Sequence, residues 1–515
     1  MWRCVLSTIP HASQRNNDAA TATILRRLWN AMVREPLPGI TARHGQDHAV
    51  LTTATGATLT GPPATDFTDE APMVITQDGR HINTCDELLT HIAADPSKTA
   101  ALQQQLREST DNLRSARTVS TPHPHGHDLW ATAIAHHPNP GVYFEQIVTT
   151  GHPVHPLART RTGLTPAQTR QWAPEHRPTV PLVLARPRTS TRHHGTWPWH
   201  DTEHTPLLPL HPYQAHRYRN RIDVITTTPA APLMSLRTLA PHNRPDIHVK
   251  TAVDIHMTSA LRQVSAAALH NGPILSRHIT ELDIPHFAVH TENAALTTLT
   301  DDNQPDPHLS AIVRTLPTTP HHTIPIPLAA LAEPDPHTGR PLIATIIDAG
   351  NTSPISWWES CVPLLLTAPL TLAVHGIALE AHGQNTLLDI QKSHPHRLTY
   401  RDFGGVRTDP AIGNLIGDIP EPNAQHRHTT LIAALYSTVL RQLVHALTHH
   451  YDIDPHTWWH PIIEHSDHLT RHHPTLHQQI FNTTWPLKAT TAMRLATDTL
   501  HNQWTHIPNP IADAR

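Results

Sequence analysis

The sequence predicts an α+β protein of two or three domains, and three observations support that class. The chain has 515 residues, too many for one small core. Short strand-like segments crowd its middle, and long helices with apolar periodicity follow them.

The first 140 residues say least about function. Ala20–Val33 carries helical apolar spacing through Ile24, Leu25, Leu28 and Met32. Leu88–Leu113 predicts a further helix with a polar start at Asp86. Between them, Ala49–Thr60 alternates apolar residues with threonine and predicts strand. Ser120–Asp128 holds Pro122, Pro124 and Gly126 and reads as a linker or turn.

Gly151–Gly163 reads GHPVHPLARTRTG. A residue before proline is pushed out of the α region, so His152 and His155 are predicted in extended backbone. Arg159 and Arg161 are two apart and would share one face of a strand. A face with imidazoles and two guanidiniums suits a polyanion; the alternative is a surface loop with ordinary charges.

The middle of the chain predicts strands at Val180–Ala185, Arg221–Thr227, Leu233–Leu239 and Ile247–Ile255, with His211-Pro212-Tyr213-Gln214 between the first two. The alternation in MSLRTL points Ser235 and Arg237 one way. Thr258-Ser259 would cap a helix at Ala260–Leu269, which Gly272-Pro273 would end. Arg262 then falls in the first turn, where the helix dipole disfavours a cation. It belongs there if it and the backbone amides hold an anion together; a tolerated exposed arginine is the other explanation. If Ser235, Arg237, Thr238, Lys250, Thr258 and Arg262 converge in space, they make a carboxylate and phosphate site.

The chain is organised around LEAHGQNTLLDIQKSHPHRLTYRDFGGVR, Leu379–Arg407. An apolar helix from Val362 to Leu379 would stop at Gly383, a glycine placed to cap it. Thr386–Ile390 and Leu398–Arg401 predict a hairpin turning through Gln391–His396, with Asn385 and Asp402 approaching each other across it. Hard oxygen ligands held this way suit Mg²⁺ on a nucleotide phosphate. Beyond it, Thr429–His450, Trp459–His473 and Gln478–Asp498 read as helix, and Lys488 and Arg494 could fold back over the site.

Composition excludes several classes. The formal net charge is −4, so there is no broad basic field for nucleic acid. Cys4, Cys85 and Cys361 are too dispersed for a disulfide framework, which fits a reducing cytoplasm. The apolar run Cys4–Pro10 is short and broken by Ser7 and Thr8, unlike a secretory leader. Cys361–Leu379 has nearly the length of a membrane span, but Pro363, Pro369 and His375 favour a buried core helix. Histidine occurs 48 times, so pairs such as His193-His194, His321-His322, His449-His450 and His472-His473 reflect composition rather than metal sites.

Taken in order, GHPVHP with its basic pair and Gly163, HPYQ, SLRT, Lys250 with Thr258-Ser259 and Arg262, NGP at Asn271, EAHGQN and RDFGG resemble the NRPS-independent siderophore synthetases, the aerobactin-synthetase-like enzymes. The resemblance spans about Gly151 to Arg407. It implies a cupped hand: a thumb over residues 1–150, β-rich fingers over 151–335 and a mainly helical palm over 336–515. It implies that Mg·ATP activates a carboxylic acid, citrate or a citrate derivative by preference, as an acyl-adenylate. A polyamine, hydroxylamine, amino acid or alcohol then takes the acyl group. Carried over by position, Ser235, Arg237, Thr238 and Lys250 would hold phosphates, and His155 would contact the nucleotide. Arg262, Thr258 and His382 would grip the carboxylate, with Arg262 also near the α-phosphate. Glu380, Asn385 and Asp402 would serve Mg²⁺ and ATP, and a homodimer would be plausible. Arg159 stands where the family usually has lysine, Tyr213 where it has tryptophan, and Leu164 where it has an aromatic residue. Two rival readings remain. A kinase-like phosphotransferase shares the Asn-then-Asp-Phe-Gly logic, yet the chain has no GxGxxG loop. A non-enzymatic iron-binding or ferric-reductase-like protein would require clustered C-terminal cysteines, and none follows Cys361.

Overall fold

The computed structural model describes residues 12–45, 47–119, 128–257, 260–497 and 502–512. It is α+β, with three principal sheets that are mostly antiparallel.

In the N-terminal part, helices Ala12–Arg34 and Pro96–Arg117 flank a five-stranded antiparallel meander running from Ile40 to Ile82. Ile24, Leu25, Leu28 and Met32 are buried in its core, as their spacing predicts. The single helix expected at Leu88–Leu113 is two, Cys85–Leu89 and Pro96–Arg117. Proline fits only a first turn, and Asp95 caps the second helix by accepting from the Ser97 and Lys98 amides. Thr84, not Asp86, caps the first. Ala49–Thr60 is a hairpin rather than one strand, turning at Gly56 with φ +82°. The linker expected at Ser120–Asp128 lies outside the described residues except for Asp128, which caps helix Leu129–His136.

An antiparallel eight-stranded sheet fills the middle. Its order is Thr191–His194, Thr291–Leu299, Pro305–Thr315, Ile247–Thr251, Thr238–Pro241, Ile222–Pro232, Val180–Pro187 and Leu208–Leu210. Every residue of Ile247–Thr251 is buried, Lys250 included. The strand expected to continue to Ile255 breaks at Ala252, and Val253–Met257 pairs instead with Ala260–Arg262 in a separate ribbon. This corrects the helix expected at Ala260–Leu269. The helix begins at Ala266, capped by Ser265, and runs to Glu281 through Gly272 and Pro273. Gly272 serves close packing there, since a Cβ would sit 2.7 Å from Glu292 Oε2. The dipole argument for Arg262 therefore does not apply, and Thr258 and Ser259 lie outside the described residues.

The third sheet joins Phe287–Val289, His394–Tyr400, Thr386–Gln391 and Thr323–Pro327, the first two parallel. The expected hairpin is present, although it turns at Lys392 and Ser393, both at positive φ. Helix Pro354–Val374 packs on this sheet through the largest apolar core. It ends before Gly376, at φ +83°, rather than at Gly383. That helix and Ala424–Tyr451 are long and apolar enough to cross a membrane, but 61% and 83% of their apolar windows are buried inside the protein. The last helical stretch is interrupted, because Thr484–Lys488 is a strand paired with Trp504–Pro508. Trp485 and Leu487 turn inward with period two, the signal that distinguishes strand from helix. Ala489, Ala492 and Leu495 then join the N-terminal core, so the end of the chain closes against its beginning.

Candidate active site

Between these sheets lies a cleft of about 310 Å³, lined among others by His155, Ser235, Arg262, Glu380, His382 and Lys488. Four backbone segments build it.

The first is Gly151–Gly163, which is a succession of turns rather than extended chain: the His155 amide donates to His152 O and the Ala158 amide to His155 O. Gly151 has φ +68°. Arg159 and Arg161 consequently do not share a strand face. They converge on the buried Glu175, at 3.1 and 3.2 Å. Burial would raise the Glu175 carboxyl, but the two guanidiniums outweigh it and hold it at about 2. Burial keeps His152 neutral, lowering it to about 3, and pulls His155 well below the usual imidazole range. His152 Nδ1 and His155 Nε2 are buried without a hydrogen-bond partner, leaving them available to a ligand.

The second is the turn at 233–238, expected as a strand. The Leu236 amide donates to Leu233 O at 2.7 Å, and the Leu233 amide to Thr238 O at 2.9 Å. Leu236 takes φ +62°, and full burial of its side chain offsets that strain. The turn brings Ser235 Oγ within 2.8 Å of Thr238 Oγ1. It also turns the Arg237 guanidinium toward Gln263 O, while Arg237 O accepts from Thr251.

The third is the central strand with Lys250, whose register partners are Thr238 and Ile312. Lys250 Nζ lies 2.9 Å from Asp402 Oδ1 and 3.8 Å from Glu292 Oε1. Arg314 bridges the same carboxylates, 2.8 Å from Asp402 Oδ2 and 2.7 Å from Glu292 Oε1. Burial opposes the Asp402 charge, but Lys250 and Arg314 prevail and hold it well below the usual carboxylate range. Arg314, Glu292 and Glu175 were not singled out from sequence. The only signal for Arg314 is a cation ending the run Ala311-Ile312-Val313.

The fourth is the stretch Leu379–Gly405. His382 Nδ1 accepts from the Gln384 amide at 3.2 Å, and Glu380 lies 3.8 Å from Lys488. Lys488 thus does reach the cleft, whereas Arg494 donates to Gln105 and acts on the cleft only through its charge on His155. Asn385 is 8% exposed, and its carbonyl accepts from the Arg401 amide at 2.9 Å, beside the start of the Asp402 turn. Asp402 has φ +71° and accepts from the Gly404 amide. Gly405 packs so closely on Glu380 that a Cβ would sit 1.9 Å from its Oε2. The ribbon carrying Arg262 borders the same site, where Asp402 and Glu380 act on its guanidinium.

The structure therefore brings His155, Ser235, Arg262, Glu380 and His382 to one cleft, with Arg237, Thr238, Lys250, Asn385 and Asp402 in the wall behind. Lys250, expected to face phosphates, pairs with Asp402, and its side chain is only 2% exposed. Asp402 and Glu380, expected at Mg²⁺, retain 22% and 29% exposure and present hard oxygens, the right donor type for that ion. Among the described residues no group of three or more His, Cys, Asp or Glu is arranged around a common metal position.

Comparison with known proteins supplies a context for this geometry. Residues 141–333 match the model of the IucA / IucC family, and residues 355–500 that of the ferric iron reductase FhuF-like transporter. Staphyloferrin A synthase of Staphylococcus aureus is 25% identical over 350 residues, 59% of each chain. D-ornithine–citrate ligase of the same organism is 27% identical over 52% of this chain and 50% of its own. The chain thus aligns with about half to three fifths of the length of these curated relatives. The structure of ATP-bound aerobactin synthetase IucA from a hypervirulent pathotype of Klebsiella pneumoniae superimposes with a TM-score of 0.75 at 16% identity, covering 96% of this chain and 99% of that one.

Proposed function

Because this chain belongs to the IucA/IucC family of NRPS-independent siderophore synthetases, we propose that it uses ATP and Mg²⁺ to convert a carboxylic acid to an acyl-adenylate and passes the acyl group to an amine or alcohol. A carboxylate oxygen attacks the α-phosphorus, and pyrophosphate leaves. The acceptor then attacks the acyl carbon, and AMP leaves with the bonding pair. The observation that carries this reading is one cleft lined by the cations Arg159, Arg161, Arg262 and Lys488 against the carboxylate of Glu380, with Arg237, Lys250 and Arg314 packed behind it among Glu175, Glu292 and Asp402. A carboxylate and a triphosphate repel each other, and a cationic, partly desolvated site offsets that repulsion.

In this reading Ser235, Arg237, Thr238 and Lys250 hold the phosphates, and Lys250 exchanges part of its contact with Asp402 for them. The neutral imidazole of His155 contributes a hydrogen bond to the nucleotide rather than charge. Arg262, Thr258 and His382 orient the acid, Arg262 also neutralising the α-phosphate. Glu380, Asn385 and Asp402 would hold Mg²⁺, whose charge neutralises the leaving pyrophosphate. Citrate or a citrate derivative is the acid of choice, supported by the name of D-ornithine–citrate ligase. The division into thumb 1–150, fingers 151–335 and palm 336–515, and a cytoplasmic location where ATP is available, go with the same proposal.

The test is Mg-ATP-dependent hydroxamate formation with hydroxylamine as trap, across citrate, a citrate monoamide, 2-oxoglutarate and a succinyl-hydroxamate acid. Activity with one acid, lost by at least about 100-fold in Arg262→Ala and Asp402→Ala proteins that stay folded by circular dichroism, supports adenylation. ATP hydrolysis with phosphate transfer to an alcohol, and no hydroxamate, would favour a kinase-like phosphotransferase instead.

A further inference from the structure

Strand Thr484–Lys488 and the short helix Thr490–Leu495 carry the chain from one core to another. Trp485 and Leu487 belong to the large core around helix Pro354–Val374, whereas Ala489, Ala492 and Leu495 belong to the N-terminal core. Lys488 stands at the crossing and brings a charge to the cleft. Its ammonium lies 3.8 Å from Glu380 Oε1, its side chain is 35% exposed, and its charge acts on His152, His155 and His382. A long side chain at such a crossing keeps much of its rotamer freedom unless the backbone on both sides of it is fixed.

The far side is fixed from the N-terminal helices, at both ends of a helix that lacks a cap of its own. Six residues are too few for a helix to persist alone. Ala489, at its N-cap, has no side-chain acceptor. The acceptor comes instead from Glu35, which directly follows helix Ala12–Arg34 and is 457 residues away in sequence. Its carboxylate takes the Ala492 amide at 2.7 Å and the Thr491 amide beside it. At the other end Lys98, in helix Pro96–Arg117, donates from Nζ to Leu495 O at 3.2 Å and to Ala496 O at 2.8 Å. A carboxylate at the N-terminus and an ammonium at the C-terminus are the charges that the helix dipole favours. Between them Gln105 accepts from Arg494 at 2.8 Å. Glu35 is 7% exposed and lines a void of about 10 Å³ with Lys488 and Thr490, so the cap lies directly behind the cleft residue.

We propose that Glu35 and Lys98 are positioning residues for the cleft: by capping helix Thr490–Leu495 from the N-terminal helices, they hold Lys488 where it contacts the anionic ligand, and neither touches that ligand itself. That the ligand is Mg·ATP or a carboxylic acid rests on the acyl-activation reading above.

A double-mutant cycle on binding tests this with the full chain and without turnover. Mg·ATP and citrate are each titrated by calorimetry into the parent, Glu35→Met, Glu35→Gln, Lys98→Met, Lys488→Met and the Glu35→Met/Lys488→Met double variant. Methionine keeps the volume of the buried glutamate and removes its acceptor, while glutamine restores an oxygen. Lys488→Met should weaken one of the two ligands by at least about tenfold, the equivalent of one charge-assisted hydrogen bond. Glu35→Met should weaken the same ligand by at least about threefold, and Glu35→Gln should bind like the parent. The double variant should bind no more weakly than Lys488→Met alone. Unchanged affinity in folded Glu35→Met, equal losses in Glu35→Met and Glu35→Gln, or losses that add in the double variant would each overturn the assignment. So would a Lys488→Met protein that binds both ligands normally. If Glu35→Met does not fold, Lys98→Met and its double variant with Lys488→Met take its place in the cycle, with the same outcomes deciding. Hydroxylamine trapping tests the activation reading separately: a parent that shows the coupling but makes no hydroxamate would remove that reading and leave Lys488 as an anion contact held from the N-terminal helices. Binding of neither ligand to the parent would overturn both.

Discussion

Lys250 Nζ lies 2.9 Å from Asp402 Oδ1, joining the middle strand of the eight-stranded sheet to a turn 152 residues away. With Arg314 and Glu292 the pair forms a four-charge network that couples the central sheet to the hairpin-bearing part of the molecule. Removing Asp402 leaves the buried Lys250 with less compensation. Breaking such a pair costs roughly 3–5 kcal/mol, and the 22% exposure of Asp402 puts the expected loss at the low end. Lys250→Met and Asp402→Asn should each lower the urea midpoint. The double variant should lose less than the sum, with a coupling of about 1 kcal/mol or more.

Glu175 contributes to acid stability. Its folded value, about 2, lies below the ordinary 4.5, so its contribution is present above the ordinary value and is lost as pH falls from about 5 toward 2. For a fully buried carboxylate the contribution is about 3 kcal/mol. Glu175→Gln should flatten the acid limb of a thermal-stability profile and lower the melting temperature at pH 7.

Glu35 acts in the opposite sense. Burial pushes its carboxyl up to about 7, although it accepts from the Ala492 amide at 2.7 Å. A raised folded value means its contribution is present below 4.5 and is lost as pH rises through about 7. Glu35→Gln should therefore be more stable than the parent at pH 8, by up to about 3 kcal/mol, and differ little at pH 4. Chemical denaturation at the two pH values checks this.

Gly383 holds the His382 loop against the protein. A Cβ there would approach the Ala329 amide nitrogen to 2.7 Å, and that amide donates to Gly383 O at 3.0 Å. Gly383→Ala should cost about 1–3 kcal/mol. It should reduce hydroxamate formation beyond what the unfolded fraction explains, because the displaced loop carries His382. Comparing activity with folded fraction at one temperature separates the two effects.

Local patterning made much of the fold legible. Ala20–Val33 formed its helix, Thr386–Ile390 formed its strand, and the apolar stretch from Cys361 is buried, because hydrophobic spacing is itself the cause of those elements. Reading failed where geometry is set by contacts distant in sequence. MSLRTL alternates like a strand yet turns, because burial of Leu236 among Val253 and Ile255 offsets its positive φ. Gly272-Pro273 looks like a helix end yet sits within one, and the glycine there instead lets Glu292 pack against the helix.

The candidate site divides the same way. The identities of its charged residues are written in the sequence: a cation in a buried strand at Lys250, an acid before a glycine turn at Asp402, imidazoles beside prolines at His152 and His155. Their partners are not. That Asp402 is held by Lys250 and Arg314, that Arg159 and Arg161 share Glu175, and that Lys488 returns to Glu380 depend on sheet order and on the last strand closing against the first helix, where Thr505 donates to Arg34 O. Spacing along the chain specifies which groups a short segment presents. Only tertiary packing brings distant segments within the few ångströms over which charges pair and shift one another's protonation.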